Sequence, residues 1–420
     1  MNIKQRLSLL LCAVLLCVCV QSVGAAAQPS EGAAVRSALT DDDFLSAKGR
    51  TLVNRRGEKV VLKGVNLGAW MIWEDWLCPY EEATDHYDVL STLTQRFGEE
   101  KAYALMNAYM DQFITESDLD RIAAMGFNCV RAPFWFRNFY YDDNGRKILD
   151  REGNWEFSRL DWLVEGCKAR GIYVILDLHG AVGYQSDAPH SGKGSSVGLY
   201  DKTEQGERFR ALTDELWTAI AARFAGNPAV AMYDLLNEPM CDVNCTEVRR
   251  RINNESIYNR LYQTVRAVDA DHLISVECIW TALALPHKAL KGWTNVVYQV
   301  HFYQTSNFIF NLFVWLTRIY YANTPLLMGE FYPHGSATWK NCFATMNKAG
   351  YSWMLWTYKA TGHGMWSGDW CIFGSRDGFE RAKVQTDSYE EILRKWGDCQ
   401  RTENGFVDNG HFEADVKCFL

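Results

Sequence analysis

Val230-Ala-Met-Tyr-Asp-Leu-Leu-Asn-Glu-Pro239 runs apolar for most of its length, then ends on an amide, a carboxylate and a proline. Such a hydrophobic stretch is that of a strand buried on both faces, and the proline sets its exit. Pro325-Leu-Leu-Met-Gly-Glu-Phe331 closes in the same manner on Glu330. Six further runs share the pattern, over 60–70, 128–134, 173–181, 273–279, 296–303 and 352–359, which makes eight. Amphipathic stretches separate them and predict helices over 115–125, 157–170, 207–224, 256–268, 283–290, 308–321 and 339–349, with 389–396 after the last strand. Eightfold strand–helix alternation, with strands too apolar for a half-exposed sheet, predicts an α/β fold: a closed parallel (β/α)8 TIM barrel. An open doubly wound sheet is the rival, but no Gly-rich phosphate turn follows the first strand. Residues 48–60, turning at Arg56-Gly57, predict a small N-terminal hairpin at the barrel bottom.

The ends of the chain bear on where it acts. A basic start with Lys4 and Arg6, an apolar core over 9–20 and the small residues Ala25-Ala-Ala27 predict a secretory signal peptide over 1–27. The expected setting is secreted and extracellular, or periplasmic in a bacterium. Its loss removes two cations and no acid, so the formal charge of −8 becomes −10. An acidic secreted protein is a poor partner for nucleic acid or an anionic membrane. Residues 28–47 read as a flexible lead-in, 48–398 as one catalytic domain and 399–420 as a tail. Secretion permits disulfides. Cys241 with Cys245 and Cys399 with Cys418 are plausible loop pairs, and Cys342 with Cys371 a weaker one. Cys129 and Cys278 fall inside strands and read as buried thiols. No Cys/His spacing calls for a zinc site.

The C-terminal ends of the runs are polar: Asn66, Arg131, Asp177, His179, Asn237, Glu238, Glu277, His301, Tyr303, Glu330, Trp356 and Lys359. Each is costly to bury unpaired, so their gathering at one end predicts a shared site at the barrel mouth. Glu238 falls on the fourth run and Glu330 on the seventh. Paired carboxylates on separate strand ends are the equipment of retaining glycosidases.

Several motifs then converge. Gly64-Val-Asn-Leu-Gly-Ala-Trp70, Phe113-Ile-Thr-Glu-Ser-Asp-Leu-Asp120, Gly126-Phe-Asn-Cys-Val-Arg-Ala-Pro133, and Asp177-Leu-His-Gly180 with Gly183 and Gln185 lie in order along residues 48–396. Together they resemble glycoside hydrolase family 5, in its exo-β-1,3-glucanase-like branch. The resemblance implies Glu330 as nucleophile, held ionised by Arg131 and Tyr303, and Glu238 as acid/base, its pKa raised by the charge of Glu330. It implies Asn237 on the sugar 2-hydroxyl, Arg131 beneath the nucleophile, His179, His301 and Tyr303 around the first sugar, and Trp356 as the aromatic floor. His179 and His301 are hydrogen-bonding rather than metal-ligating on this reading, and neither metal nor cofactor is called for. Phe331 stands where the branch usually carries Trp, Ala181-Val-Gly-Tyr184 replaces Ala-Pro-Gly-Ser, and residues 362–373 differ, which bears on the substrate.

The expected function is therefore a secreted retaining β-glycosidase acting on β-glucan, oligosaccharide or β-glucoside, foremost an exo-β-1,3-glucanase or β-glucosidase. A β-glucosidase or endo-glucanase on other β-glucans or glucosylated lipids is the alternative, and a barrel that binds glucan without cutting it is the alternative of another class. Trp70, Trp73, Trp76, Trp135, Trp280, Trp366 and Trp370 map to mouth loops, where some are expected to line sugar sites. Residues 307–321 carry one charge, Arg318, among large apolar side chains. The prevailing reading is a packed barrel helix; the lesser one is an exposed apolar lip in contact with lipid. Asn244 and Asn254 open glycosylation sequons.

Overall fold

The eight apolar runs become the staves of one closed parallel barrel. The computed structural model describes residues 36–239, 246–278, 285–304, 306–333, 337–361 and 371–420, all within the compact unit Ala33–Leu420. The staves are β1 (Lys63–Asn66), β2 (Cys129–Trp135), β3 (Tyr173–Gly180), β4 (Val230–Asp234), β5 (Leu273–Glu277), β6 (Val296–Gln304), β7 (Leu326–Pro333) and β8 (Ser352–Leu355). They follow one another around the barrel in chain order, and β8 closes on β1 through Trp353–Lys63, Met354–Gly64 and Leu355–Val65. Every residue of β2, β3, β4 and β5 is buried. Side chains fill the inside of the barrel and helices cover its outside, which is why these strands do not alternate.

Between β1 and β2 lie three helices, α1 (His86–Phe97), α2 (Glu99–Phe113) and α3 (Glu116–Ala124). Only α3 was expected. Asp85 caps α1 by accepting from the Asp88 N–H, and Gly98, at φ 84°, ends α1 where a side chain would be strained. The later helices are α4 (Ser158–Ala169), α5 (Glu204–Phe224), α6 (Glu247–Arg266), α7 (Asn307–Tyr320), α8 (Trp339–Ala349) and α9 (Tyr389–Lys395). The helix expected over 283–290 is, among the described residues, one 3-10 turn at Lys288–Leu290. Pro286 breaks the run, having no N–H to give and a ring that clashes with the preceding turn.

The hairpin over 48–60 is present and gains a strand. Ser46–Lys48, Thr51–Val53 and Lys59–Val60 form a three-stranded antiparallel sheet. The C-terminal tail is held without the expected Cys399–Cys418 bridge. Both are free thiols, and the Cys399 sulfur turns instead to the Lys395 carbonyl at 2.9 Å. The tail docks through Phe419, whose carbonyl accepts from Lys63 Nζ at 2.6 Å and Asn347 Nδ2 at 2.9 Å and whose ring stacks on Phe343. Cys129 and Cys278 are buried free thiols, as expected. The pair Cys241 and Cys245, the leader and Asn244 lie outside the described residues. Asn254 is fully buried, away from the surface a glycan needs. No helix among the described residues is long and apolar enough to cross a membrane.

Candidate active site

Arg131 organises the mouth of the barrel. It projects from β2, fully buried, and reaches four strand ends at once. Its Nη1 donates to Glu330 Oε1 at 2.8 Å and to Asn66 Oδ1 at 3.1 Å. Its Nε donates to Asp234 Oδ2 at 2.8 Å, and its Nη2 to Asn237 Oδ1 at 2.8 Å. Asp177 Oδ2 lies 3.0 Å from Nη2. A planar fork with five N–H groups is the side chain suited to such a set.

The amide of Asn237 is thereby oriented. Its Oδ1 is taken by Arg131, so its Nδ2 is the group facing His179 Nε2, at 3.2 Å. His179 Nδ1 meets Asp177 Oδ2 at 2.7 Å. The ring is therefore a neutral imidazole with its proton on Nδ1, and burial lowers its pKa to about 3. Trp356 lies nearly parallel to that ring, 5.8 Å between centroids. Gln185 ties the β3 loop to the β4 end by donating to the carbonyls of His179 and Asn237, at 2.6 and 2.9 Å.

The two glutamates meet across this frame. Glu330 accepts from the Tyr303 hydroxyl at 2.6 Å in addition to Arg131. Glu238 Oε1 lies 2.8 Å from His301 Nδ1. Ligand atoms of Glu238, His301 and Glu330 all fall within 4.8 Å of one another. That is also the spacing of a cation site, but the Arg131 guanidinium against Glu330 already brings a positive charge there. Burial lowers His301 to about 3, so its ring is neutral. Glu238 is raised above the usual carboxylate range by burial first of all. The sequence reading had assigned that rise to the charge of Glu330; withdrawal from water is the leading cause.

A bulge sets this meeting. Val300 pairs with Met328 but His301 pairs with Glu330, so Gly329 is passed over. A Cβ on Gly329 would stand 2.2 Å from Gln299 Oε1 and 2.8 Å from His301 Nε2. Only a residue without a side chain lets His301 lie beside Glu330.

All eight expected site residues gather here. Lys359 does not. Its ammonium is buried against the carbonyls of Phe113 and Gln400 and the Thr402 hydroxyl, where it ties β8 to the C-terminal segment. Trp70, Trp73 and Trp135 are fully buried core, not sugar platforms; Trp280, Trp366 and Trp370 lie outside the described residues. Three more ionisable groups neighbour the two glutamates: Glu277, one of the expected polar strand ends, and Glu74 and His190, which the sequence did not single out. Glu277 accepts the Glu238 N–H on its Oε2 at 2.7 Å. Glu238 sits at φ 34°, a left-handed backbone for a side-chain-bearing residue. Burial, then the Glu238 charge, pushes Glu277 well above the usual range. Glu74, on the loop after β1, is pushed up to about 8 by burial, with the charges of Glu330 and Glu238 adding to the rise. His190 brings Nδ1 to 3.7 Å from Glu238 Oε2. An acid between Trp73 and Trp76 was the one available signal for Glu74; His190 offered none.

A parallel barrel with glutamates on the ends of its fourth and seventh strands defines a class of carbohydrate-active fold. A family model described as cellulase, glycosyl hydrolase family 5, matches residues 92–362, and the chain belongs to that family. A beta-xylosidase of Phanerodontia chrysosporium is 29% identical over 267 residues, covering 63% of this chain and 53% of the relative. A probable glucan 1,3-beta-glucosidase A of Aspergillus fumigatus is 30% identical over 216 residues, covering 50% and 48%. The chain thus spans about half the length of the curated relatives it matches. An endo-glycoceramidase II structure from Rhodococcus sp. superimposes with a TM-score of 0.51 at 18% identity, over 84% of this chain and 80% of that one, a likeness of fold.

Proposed function

We propose that the chain is a secreted retaining β-glycosidase that cleaves β-glucosidic bonds, foremost as an exo-acting β-1,3-glucanase or β-glucosidase. The observation that carries the reading is the pair Glu238 and Glu330, with carboxylate oxygens within 4.8 Å. Retaining enzymes hold their carboxyl groups about 5–5.5 Å apart, whereas inverting enzymes need about 6.5–9.5 Å to admit water. Glu330, its charge balanced by Arg131 and its free direction set by Tyr303, attacks the anomeric carbon. The bond to the aglycone oxygen breaks, and Glu238 gives that oxygen its proton. Water then attacks the glycosyl-enzyme, Glu238 takes the water's proton, and Glu330 leaves as carboxylate. Asn237, oriented by Arg131, faces the 2-hydroxyl, and Trp356 lies under the sugar ring. The names of the relatives support a glucoside or xyloside substrate, and the basic, apolar, small-residue order of residues 1–27 supports export.

The test is hydrolysis of aryl β-glucosides and β-xylosides, followed by proton NMR of the first-formed sugar. The expected product keeps the β configuration, and Glu330→Ala loses about 10³-fold or more of the activity. Inverted product, or unchanged turnover in that variant, overturns the reading. Laminari- and cello-oligosaccharides, compared by product size, assign linkage and direction.

A further inference from the structure

Half of the exposed large hydrophobic side chains among the described residues sit on one helix. Phe308, Ile309, Leu312, Trp315, Leu316 and Ile319 of α7 are 64, 45, 41, 50, 45 and 54% exposed. The opposite face, with Phe310, Phe313, Val314 and Thr317, is buried against the barrel, where Phe313 stacks on Phe302 of β6 at 3.9 Å. The helix is thus apolar on both sides, and the inner side already has its partner. Its one charged residue is spent inward: Arg318 donates to the carbonyls of Thr324, Ala349 and Gly350. No charge interrupts the outer stripe, which runs for roughly 20 Å at 1.5 Å per residue. Packing as an ordinary barrel helix, the prevailing expectation from sequence, accounts for one face only.

Size and charge choose the occupant. By ordinary side-chain areas the six residues leave roughly 600 Å² of apolar surface in water. That reaches the upper end of the largest apolar patch on an ordinary monomer, about 300–600 Å², where such patches are often functional. It falls short of the roughly 800 Å² per partner that a stable protein dimer buries, and a single convex helix gives a second copy only a seam to grip. A fluid apolar phase needs no matching shape, and an amphipathic stripe sinks about 5–10 Å into a bilayer interface. The chain's net charge of −8 opposes an anionic surface, so the matching surface is a neutral or zwitterionic one. Position links the stripe to the chemistry. Ser306 caps α7 three residues after Tyr303, whose hydroxyl holds Glu330, so the stripe begins at the mouth.

We infer that the outer face of α7 seats the enzyme on a neutral lipid surface and presents the barrel mouth to β-glucosides whose aglycone is a membrane-embedded lipid. This rests on the glycosidase reading above and extends it to a substrate class.

The experiment uses the full chain and a Leu312→Glu/Trp315→Glu/Ile319→Glu variant, with circular dichroism and Tm as the check on folding. Binding is read by flotation with phosphatidylcholine vesicles. Activity is read on a soluble aryl β-glucoside and on glucosylceramide carried in the same vesicles. The wild type is expected to float. The folded variant is expected to lose about tenfold or more of its flotation and of its glucosylceramide turnover, while aryl glucoside turnover stays within about twofold, since α7's outer face touches no reacting group. Failure of the wild type to float overturns the inference. So does a folded variant that keeps both vesicle readouts, or a wild-type dimer in light scattering that the variant dissolves. If the variant does not fold, Trp315→Glu alone decides by the same readouts. A wild type that floats but cleaves neither substrate overturns the glycosidase reading and leaves the surface standing.

Discussion

At the scale of single residues, Glu238, the acid/base of the proposed mechanism, is held by a carboxyl that takes no part in the bond changes. Glu277 grips the Glu238 N–H at 2.7 Å, and Glu238 keeps a left-handed backbone, φ 34°. Without that grip the residue is free to relax toward ordinary dihedrals and turn its carboxyl off the leaving group. Glu277→Ala is expected to lower kcat/KM about 10- to 100-fold for alkyl glucosides, whose leaving group needs a proton, and to spare a dinitrophenyl glucoside, whose does not. Glu277→Gln keeps an acceptor and is expected to retain most activity. Equal losses on both substrates would reduce Glu277 to a general structural role. The pH dependence follows from the raised Glu238. Its protonated form is the competent acid, so kcat/KM is held below the raised pKa and lost as pH climbs through it, with the alkaline limb above the ordinary carboxylate range. Glu238→Gln should abolish that limb. Stability follows the same sign: the raised Glu238 and Glu277 favour the fold below their unfolded pKa values, and that contribution fades as pH rises through the folded ones.

At the scale of elements, the decisive feature is an irregularity. The bulge that passes over Gly329 brings His301 and Glu330 side by side, and through His301 it brings Glu238. Gly329→Ala would press a methyl group into Gln299 and His301, at the 2.2 and 2.8 Å already noted. Both neighbours are fully buried and have little room to yield. Such overpacking costs about 1–3 kcal/mol. The expected outcome is a lower Tm together with a loss of kcat larger than the loss of stability explains; an active variant of native Tm would show that the bulge tolerates a side chain. The strands themselves were legible as hydrophobic runs, and so were most of the helices. The exceptions have local causes. Pro286 breaks one expected helix, and α1 and α2 form a pair in a connection that the strand–helix alternation counts only once.

At the scale of the whole molecule, the last turn of chain closes the structure by packing rather than by a covalent link. Phe412 and Val416 are 5 and 1% exposed, and the Phe419 carbonyl receives Lys63 from the first strand. Cys418→Ser is therefore expected to leave Tm unchanged, while truncation after His411 lowers it by several degrees. Loss of a buried aromatic costs about 3–5 kcal/mol, and a chain of this size loses roughly 1–1.5 °C per kcal/mol. Differential scanning fluorimetry of the two variants distinguishes packing from a bridge: a large drop for Cys418→Ser would restore the disulfide. By itself the sequence determined the barrel, the order of its strands and the polar residues at its mouth, because each is written locally, in apolar runs that end on polar residues and are separated by amphipathic stretches. Only the tertiary structure decided which side chains meet: Glu277 on Glu238, His190 beside it, His301 across the bulge, Lys359 withdrawn to the tail, Trp70, Trp73 and Trp135 in the core, and α7 bare on its outer face. Those outcomes depend on close approach between segments tens to hundreds of residues apart, and on what remains uncovered once the barrel has closed.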